Sequence, residues 1–402
     1  MRAALIDPLG QYAGNHHYTD QLARGLSHAG VQVTVYVHDG DVDLSPDRPY
    51  EYLEPFHDIY GSRPVVMRGG QFLKCLTVTF SGIFGRRTDI VHVQMWAHDM
   101  REILQIAIAR MMRKKVVVSA HEIKGWSSRR SSVASADPGH KSNDGGEVTR
   151  RFEWVLSHTD AIVVHNRHSY DMLMARYKPR TPVAVIPLPH VSQTGSGATL
   201  PDRADARRRL ELPEDKTIFL FFGNCRYEKG LDLALRALAE LKADNDDMLL
   251  VAAGKMKADE EAYFRGMAGD LGLGRLLRMD IGLVSDVQAI DYFRASNAVV
   301  VPYRDVSESG VAITAATFGR AILASDLPPL LEATEGGQLG LHFKNGDFHD
   351  LAALMKRALS MTDQLDAMGA RASDKVRHER DPDVIGAQMF QLYQGLLRPR
   401  IE

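Results

Sequence analysis

The sequence has 402 residues, of which 45% are hydrophobic and 25% are charged. This length suits two domains of about 200 residues each, and the composition is typical of a soluble globular protein. The formal net charge of -2 excludes a general attraction to nucleic acid. Residues 1–190 carry 23 Lys and Arg against 19 Asp and Glu. Such a mildly basic first half suits an anionic partner or a membrane surface, with ordinary surface scatter as the alternative.

Cysteine content and the N-terminal residues indicate which cellular compartment the chain is expected to occupy. Cys75 and Cys225 are too few for a disulfide framework or a zinc site, and both are expected to be reduced. Reduced cysteines favour the cytoplasm. The chain opens on a short apolar strand that is too short for a signal peptide, and no apolar run reaches the ~18 residues of a membrane span.

Strand-like and helix-like segments alternate along the first half, which predicts a parallel sheet with crossover helices. Strands are predicted at Ala3–Ile6, Val31–Val37, Asp89–Gln94, Val116–Ser119, Ala161–Val164 and Val183–Ile186. Helices are predicted at 18–29 and 101–113. Two stretches break this rhythm. Residues 124–148 predict a long loop, and residues 188–204, rich in Pro, Gly, Ser and Thr, predict an interdomain linker.

The same alternation starts again after the predicted linker. Strands are predicted at Ile218–Phe222, Met248–Ala253, Ala298–Pro302 and Ala321–Ser325. Helices are predicted at 231–243, 259–271, 310–318, 349–360 and 384–398. The same kind of α/β unit therefore occurs twice, without an internal sequence repeat.

A glycine-containing basic loop follows the first strand of the second half. It lies between Phe222 and a helix that is predicted to start near Leu231. A helix N-terminus attracts phosphate, and Arg226 and Lys229 would add two positive charges on the same turn. A diphosphate leaving group needs such charges, whereas a solvated basic turn is the alternative interpretation.

A second loop of this kind follows the strand at Ala298–Pro302. Here the backbone N–H groups of Ser309, Gly310 and Val311 would lie at the start of a helix. Two anion-binding loops at the carboxyl ends of strands in one domain predict a diphosphate held between them. The alternative is a helix that is simply capped by Ser307 or Ser309, although capping and phosphate binding are compatible.

Two features of the first half lie where α/β sheets place their ligands. His121 directly follows the strand Val116–Ser119. A lone histidine is more often structural than catalytic, and its position favours a functional role here. The loop between the first strand and the first helix contains Gly10 and Gly14 but lacks a dinucleotide fingerprint. This loop is expected to approach a phosphate or an acceptor.

The second half resembles family 4 of the retaining GT-B glycosyltransferases, a group that includes many bacterial cell-envelope and exopolysaccharide transferases. The family's phosphate motif is matched by FGNCRYEKGLDLALRAL (222–238), and its donor loop and helix by VPYRDVSESGVAITAATFGRAILASDLPPLLE (301–332). Two acceptor-domain strands are matched by DIVHVQ and VVVSAHE, and the domain crossover by VIPLPHV (185–191). The resemblance therefore covers nearly the whole chain.

The resemblance implies an α/β chain of the GT-B fold with two facing Rossmann-like domains. The implied domains are an acceptor domain at 1–190, a nucleotide-sugar domain at 191–375 and a C-terminal helix at 376–402 that returns to the first domain. The implied catalytic residues are His121 beside the transferred sugar and Arg226 and Lys229 on the donor diphosphate. The implied donor-binding residues are Gly14, Gly223, Asn224, Glu308, Ser309, Gly310, Val311 and Thr314. The implied acceptor-binding residues are Asn15, His16 and His17.

One departure from the family concerns the donor loop. Many members carry two glutamates eight positions apart, and Val306 and Thr314 occupy those positions here. Glu308 lies two positions out of register and is expected to reach the sugar hydroxyls. The departure weakens the assignment of the donor more than that of the fold.

The implied activity is retaining transfer of a hexose-type sugar from a UDP- or GDP-sugar to a glycan, lipid-linked or small-molecule acceptor. No cofactor, metal or nucleic acid is expected. A donor-binding pseudoenzyme or partner subunit, and a nucleotide-sugar epimerase of the same fold, remain alternatives.

Membrane contact is a further expectation. Arg110, Arg113, Lys114 and Lys115 end an amphipathic helix, and residues 72–87 combine apolar side chains with a basic end. A lipid-linked acceptor would be presented at such a surface, so a peripheral position on the inner face of the membrane accompanies the cytoplasmic expectation. A normally buried helix is the alternative.

Overall fold

The computed structural model describes residues 1–9, 16–39, 48–61, 63–96, 99–123, 145–190, 200–243 and 247–398. These residues form two compact units. The first unit takes the described residues up to 123, from 145 to 190 and from 378 onward, and the second takes those from 200 to 377. Most of the predicted loop 124–148 and the middle of the predicted linker 188–204 lie outside the described residues.

The first unit is built on a seven-stranded parallel sheet. Its strands are β1 (Arg2–Asp7), β2 (Gln32–His38), β3 (Glu51–Phe56), β4 (Ile90–Met95), β5 (Lys115–Ala120), β6 (Ala161–Val164) and β7 (Val183–Val185). The helices between them are α1 (His16–His28), α2 (Val65–Gly85), α3 (Met100–Met111), α4 (Gly145–Ser157) and α5 (Arg167–Tyr177). The strand order is β3-β2-β1-β4-β5-β6-β7.

Alternation along the strands gives this sheet two buried faces. Ala4 and Ile6 of β1 belong to one hydrophobic core, and Ala3 and Leu5 belong to the core on the other side. Successive side chains of a strand point to opposite faces, so strands covered by helices on both sides are apolar throughout. This explains the continuous apolar runs from which the strands were predicted.

The second unit is built on a six-stranded parallel sheet of the same type. Its strands are β8 (Thr217–Phe222), β9 (Met248–Gly254), β10 (Leu277–Ile281), β11 (Ala298–Val301), β12 (Ala321–Ser325) and β13 (Gly340–Phe343). Its helices are α6 (Arg203–Arg209), α7 (Leu231–Leu241), α8 (Ala258–Asp270), α9 (Asp286–Ala295), α10 (Gly310–Thr317), α11 (Pro328–Ala333), α12 (Phe348–Leu359) and α13 (Thr362–Glu379). The strand order is β10-β9-β8-β11-β12-β13.

The last helix, α14 (Pro382–Leu397), packs on α1 of the first unit. Ile385, Met389 and Tyr393 recur every four residues and are fully buried. The two helix backbones approach closely at Gly25 and Gly386, because a Cβ atom on Gly25 would lie 1.7 Å from the carbonyl oxygen of Pro382. Only glycine fits at such a contact.

Several boundaries and elements differ from the sequence-based prediction. Helix α4 begins at Gly145, inside the predicted loop 124–148, and α6 begins at Arg203, inside the predicted linker 188–204. Strands β3, β10 and β13 were not predicted. Residues 51–56 include two Glu and one Pro, and residues 277–281 include Arg and Asp, so neither stretch has the apolar character of a buried strand. Helix α2 was not predicted either. It contains most of residues 72–87, the segment that combines apolar side chains with a basic end.

Candidate functional site

The sheet of the second unit reverses its strand order between β8 and β11. From this point β9 and β10 continue to one side, and β12 and β13 continue to the other. In parallel α/β sheets, ligands bind outside the carboxyl ends of the strands at such a switch point. The two loops predicted to bind the diphosphate follow β8 and β11, so the fold brings both to this point.

Direct contacts tie the two loops together. The Arg304 guanidinium forms two hydrogen bonds with the carboxylate of Asp232, at 2.8 and 2.7 Å. It also donates to the carbonyl of Tyr227 at 3.0 Å, and the Arg304 backbone N–H donates to the Glu228 carbonyl at 2.9 Å. Sequence reasoning assigned no role to Arg304 or Asp232, because their partnership spans 72 residues and depends on the pairing of β8 with β11.

Arg226 and Lys229 lie on one tight turn after β8. Residues Tyr227–Lys229 form a short 3₁₀ helix that precedes α7, and the Lys229 N–H donates to the Arg226 carbonyl at 2.9 Å. The turn ends at Gly230, whose φ of +72° is left-handed. A Cβ atom there would lie 1.9 Å from the carbonyl oxygen of Pro302, so glycine allows the two loops to touch.

The two basic side chains of this turn have different surroundings. The Lys229 ammonium lies 3.7 Å from the ring centroid of Tyr303, a residue that is 2% exposed. Burial raises the pKa of the Tyr303 phenol, so its ring is a neutral platform for the cation. Arg226 pairs with the carboxylate of Glu228 at 2.8 Å. The turn therefore carries two basic side chains at the carboxyl end of β8, the position at which a parallel sheet binds its ligand.

The start of α10 provides the second part of the site. The Ser309 side chain caps this helix by accepting the Ala312 N–H at 3.2 Å. The N–H groups of Gly310 and Val311 belong to the first turn of α10, where backbone N–H groups have no acceptor within the helix. The Thr314 hydroxyl donates to the Gly310 carbonyl at 2.8 Å, so it is available to a ligand only as an acceptor.

The remaining predicted donor-binding residues of this unit lie in the same loops. Gly223 has a φ of +106°, and a Cβ atom there would lie 3.5 Å from the Val311 side chain. Asn224 is exposed, and Glu308 is partly buried directly before the cap of α10. The predicted set of the second unit thus clusters at one end of its sheet.

The first unit has its own switch point, between β1 and β4. The predicted residues Gly14 and Asn15 of the loop after β1 lie outside the described residues, as does the side chain of His16. His17 lies in the first turn of α1 and is partly buried. The predicted His121 directly follows β5, at the carboxyl end of that strand.

His121 is held in a buried aromatic cage. Its Nε2–H donates to the Gln94 Oε1 atom at 2.9 Å. The Trp96 ring is stacked on the imidazole, with 3.6 Å between ring centroids. The rings of Tyr18 and His165 complete the cage, with centroids at 4.8 and 4.5 Å from that of His121.

Burial keeps the histidines of this region neutral. It lowers the pKa of His121 well below its usual value, with His165 and His92 adding to the effect. Burial likewise lowers the pKa of His165 to about 4 and that of His92 to about 3. His121 is therefore a neutral polar group rather than a charged one at physiological pH.

Three buried nitrogen atoms around His121 have no hydrogen-bond partner among the described residues. They are Gln94 Nε2, Trp96 Nε1 and His165 Nε2. Buried polar atoms are normally paired, so atoms of this kind that surround one side chain point to a polar ligand.

A chain of buried polar groups that sequence reasoning missed lies behind the cage. Tyr18 Oη is 3.2 Å from Ser119 Oγ, and Ser119 Oγ is 2.9 Å from His92 Nε2. His92 Nδ1 is in turn 2.6 Å from Tyr393 Oη. The chain joins α1, β5, β4 and α14. The one signal in the sequence was a histidine within the otherwise apolar start of β4.

Two family models match the chain. The model described as Glycosyltransferase Family 4 matches residues 13–189, and the model described as Glycosyl transferases group 1 matches residues 202–375. Both candidate sites lie within these ranges.

Curated relatives carry related names. A D-inositol 3-phosphate glycosyltransferase 1 from Catenulispora acidiphila is 26% identical over 390 residues, which cover 92% of this chain and 89% of that protein. A D-inositol 3-phosphate glycosyltransferase from Geodermatophilus obscurus is 28% identical over 244 residues. That match spans 58% of this chain and about half, 53%, of the relative.

Solved structures share the fold. Sucrose-phosphate synthase from Thermosynechococcus elongatus gives a TM-score of 0.78 at 20% identity, over 98% of this chain and 99% of that chain. HepE of Anabaena, in complex with UDP-glucose, gives a TM-score of 0.75 at 14% identity, over 98% of this chain and 100% of that chain. At these identities the likeness shows the fold alone.

Proposed function

Since this chain belongs to the family 4 and group 1 glycosyltransferases and has their GT-B fold, we propose that it transfers a hexose-type sugar with retention of configuration. The donor in this proposal is a UDP- or GDP-sugar. The acceptor is a glycan, a lipid-linked molecule or a small molecule, and the product belongs to cell-envelope or exopolysaccharide synthesis. The buried, unpaired thiols of Cys75 and Cys225 favour a reducing compartment such as the cytoplasm.

The placement of Lys229 carries this proposal. Its ammonium lies on the Tyr303 ring, and its turn contacts the loop that leads into α10. Two cations and the N-terminus of α10 at one switch point form a site for a diphosphate. Charge develops on the diphosphate as the sugar leaves, so these fixed positive groups stabilise the transition state more than the ground state.

The proposed reaction follows from these groups. The bond between the anomeric carbon and the β-phosphate oxygen breaks, and the nucleoside diphosphate leaves while Arg226 and Lys229 neutralise its charge. The acceptor oxygen bonds to the anomeric carbon on the same face. Its proton passes to the leaving phosphate oxygen, so no side chain has to act as the base.

We assign His121 to a different task. A neutral imidazole that is fixed by Gln94 and Trp96 provides a hydrogen bond to a hydroxyl of the transferred sugar, not a proton sink. The unsatisfied nitrogens of Gln94, Trp96 and His165 support a polyhydroxylated ligand beside it. The acceptor-binding role of Asn15, His16 and His17 stays a prediction.

The departure at the donor loop bears on the choice of nucleotide. Thr314 cannot hold the ribose as a carboxylate would, and its hydroxyl already donates to Gly310. UDP is the first nucleotide to test, because HepE binds UDP-glucose on the same fold. Inositol 3-phosphate belongs in the acceptor panel because of the names of the relatives.

A thermal-shift screen against UDP, GDP, dTDP and ADP tests the proposal. A ligand that binds only the folded chain raises its apparent Tm. We expect one nucleotide to raise the Tm of the wild-type chain and to lose this effect in Lys229→Ala. Product analysis with that nucleotide's sugar then tests transfer, and conversion of the donor without an acceptor would instead indicate an epimerase. No shift with any nucleotide would overturn the proposed donor site.

A further inference from the structure

Helix α2 of the first unit is apolar on the side that faces solvent. Val66, Leu73, Val78 and Phe84 are 86, 56, 63 and 73% exposed. Val66, Leu73 and Phe84 lie almost on one line along the helix, because seven and eleven residues are close to whole numbers of turns. A surface helix of a soluble protein normally has polar residues on this side.

The other side of the same helix is a regular core face. The buried residues of α2 are Phe72, Cys75, Leu76, Thr79, Phe80 and Ile83. One face of α2 is thus buried in the core of the unit, and the exposed apolar residues form a second apolar face that the core does not use. Helix α3 packs beside α2 and exposes Met100 (50%) and Met111 (76%). With Val65 and Met67, which are also exposed, α2 and α3 carry eight exposed large apolar residues. Single exposed apolar residues are common, whereas eight on two neighbouring helices require an explanation.

Basic residues are frequent around this surface, and several of them pair with acidic residues outside α2 and α3. Residues 63–115 contain ten Lys and Arg against three Asp and Glu, and α2 itself contains Arg68 and Lys74 and no acidic residue. Lys74, Arg87, Arg113 and Lys114 form no ion pair with any described residue. Apolar side chains combined with unpaired basic ones match a surface of anionic headgroups above acyl chains.

We propose that α2, flanked by α3, docks on an anionic lipid bilayer. Val66, Leu73 and Phe84 enter the boundary between headgroups and acyl chains, while Lys74 and Arg87 contact lipid phosphates. The proposed contact is peripheral. Within the described part of the chain, no helix has the length and apolar character needed to cross a bilayer. This binding does not depend on the donor or acceptor assigned above.

Co-sedimentation of the full chain with vesicles tests the proposal. The vesicles are phosphatidylcholine alone or phosphatidylcholine with 30% phosphatidylglycerol, at low and high salt. We expect binding to the anionic vesicles only, weakened by salt. The double variant Val66→Ser, Phe84→Ser lowers the partition coefficient about tenfold or more, and Lys74→Gln lowers it about fivefold.

A matched control removes exposed apolar residues elsewhere. Leu283 and Val287 of the second unit are 77 and 59% exposed, and Leu283→Ser, Val287→Ser is expected to bind vesicles like the wild type. Unchanged binding of the α2 variant, or no binding by the wild type, overturns the proposal. If the wild type forms a dimer but does not bind vesicles, and the α2 variant is a monomer, the surface binds a second copy of the chain and the proposal is overturned. The nucleotide-induced thermal shift is measured on every variant. If it is retained, a loss of vesicle binding is not caused by a loss of the donor site.

Discussion

The indole of Trp96 lies flat on the imidazole of His121, with ring planes 2° apart and ring centroids 3.6 Å apart. Gln94 holds the same imidazole from its edge, through a 2.9 Å hydrogen bond to Nε2. Two contacts at right angles fix both the plane of the ring and its rotation within that plane. We therefore treat Gln94 and Trp96 as residues that position His121.

Loss of the Gln94 carbonyl should disturb the reaction and spare donor binding. Gln94→Leu keeps the volume and removes the acceptor for Nε2–H, so the imidazole can rotate away from the sugar. We expect kcat to fall about tenfold, while the nucleotide-induced thermal shift stays unchanged. Gln105→Leu is the control, because Gln105 is equally buried in the same unit and its amide has no partner among the described residues. Equal kcat values for the two variants would contradict a positioning role.

The buried histidines predict how stability depends on pH. The folded pKa of His165, about 4, lies below the ordinary value of 6.5, so the unfolded chain binds more protons. The stability that the neutral His165 contributes to the folded state is fully present above pH 6.5 and is lost as the pH falls towards 4. His165 alone should lower the free energy of unfolding by about 2 kcal/mol between pH 7 and pH 5. Urea denaturation across this range measures it, and an unaltered pH slope in His165→Gln would refute it.

The sequence was informative where one segment determines its own structure. The valine run of β5 predicts a strand because a doubly covered parallel strand must be apolar on both faces. The two glycines and the basic residues between Phe222 and Leu231 likewise predict a turn with two cations. The 3₁₀ turn Tyr227–Lys229 and its left-handed Gly230 realise this local preference.

Pairings between distant segments were beyond sequence reasoning. Asp232 and Arg304 meet only because β8 and β11 are neighbours in the sheet, and nothing near either residue signals the other. Gln94 reaches His121 because β4 and β5 pair in a register that sets Gln94 opposite Ser119. Helix α2 was missed for another reason. Apolar residues occupy both of its faces, so the helical period is blurred.

The loops that follow β8 and β11 touch at Gly230, so one added methyl group there should have a large effect on stability. Gly230→Ala adds left-handed strain and a clash with the Pro302 carbonyl, so we expect a loss of about 3 kcal/mol of stability. Gly336 has a similar φ of +63° and open space around it, so Gly336→Ala should lose about 1–2 kcal/mol through strain alone. Urea denaturation compares the two variants. Equal losses would mean that the contact with Pro302 carries no energy.

Chelation tests whether the protein's own cations suffice for the proposed transfer. In the proposed mechanism the positive charge for the diphosphate comes from Arg226, Lys229 and the α10 N-terminus, so transfer should not require a divalent ion. We expect the same initial rate after exhaustive dialysis against EDTA as with added magnesium. A rate that collapses with EDTA and returns with magnesium would assign part of the diphosphate charge to a metal.

Removal of the Lys229 ammonium should separate catalysis from folding. Lys229→Ala leaves the Tyr303 ring buried and removes the cation above it, so we expect an unchanged circular dichroism spectrum and a fall in kcat of about 100-fold or more. Lys242→Ala is the control. Lys242 follows the C-terminal end of α7, the helix that begins after the Lys229 turn, and donates to the Leu271 carbonyl at 2.7 Å. That variant should keep the wild-type rate. If Lys229→Ala also kept it, the diphosphate charge would have to be neutralised without Lys229.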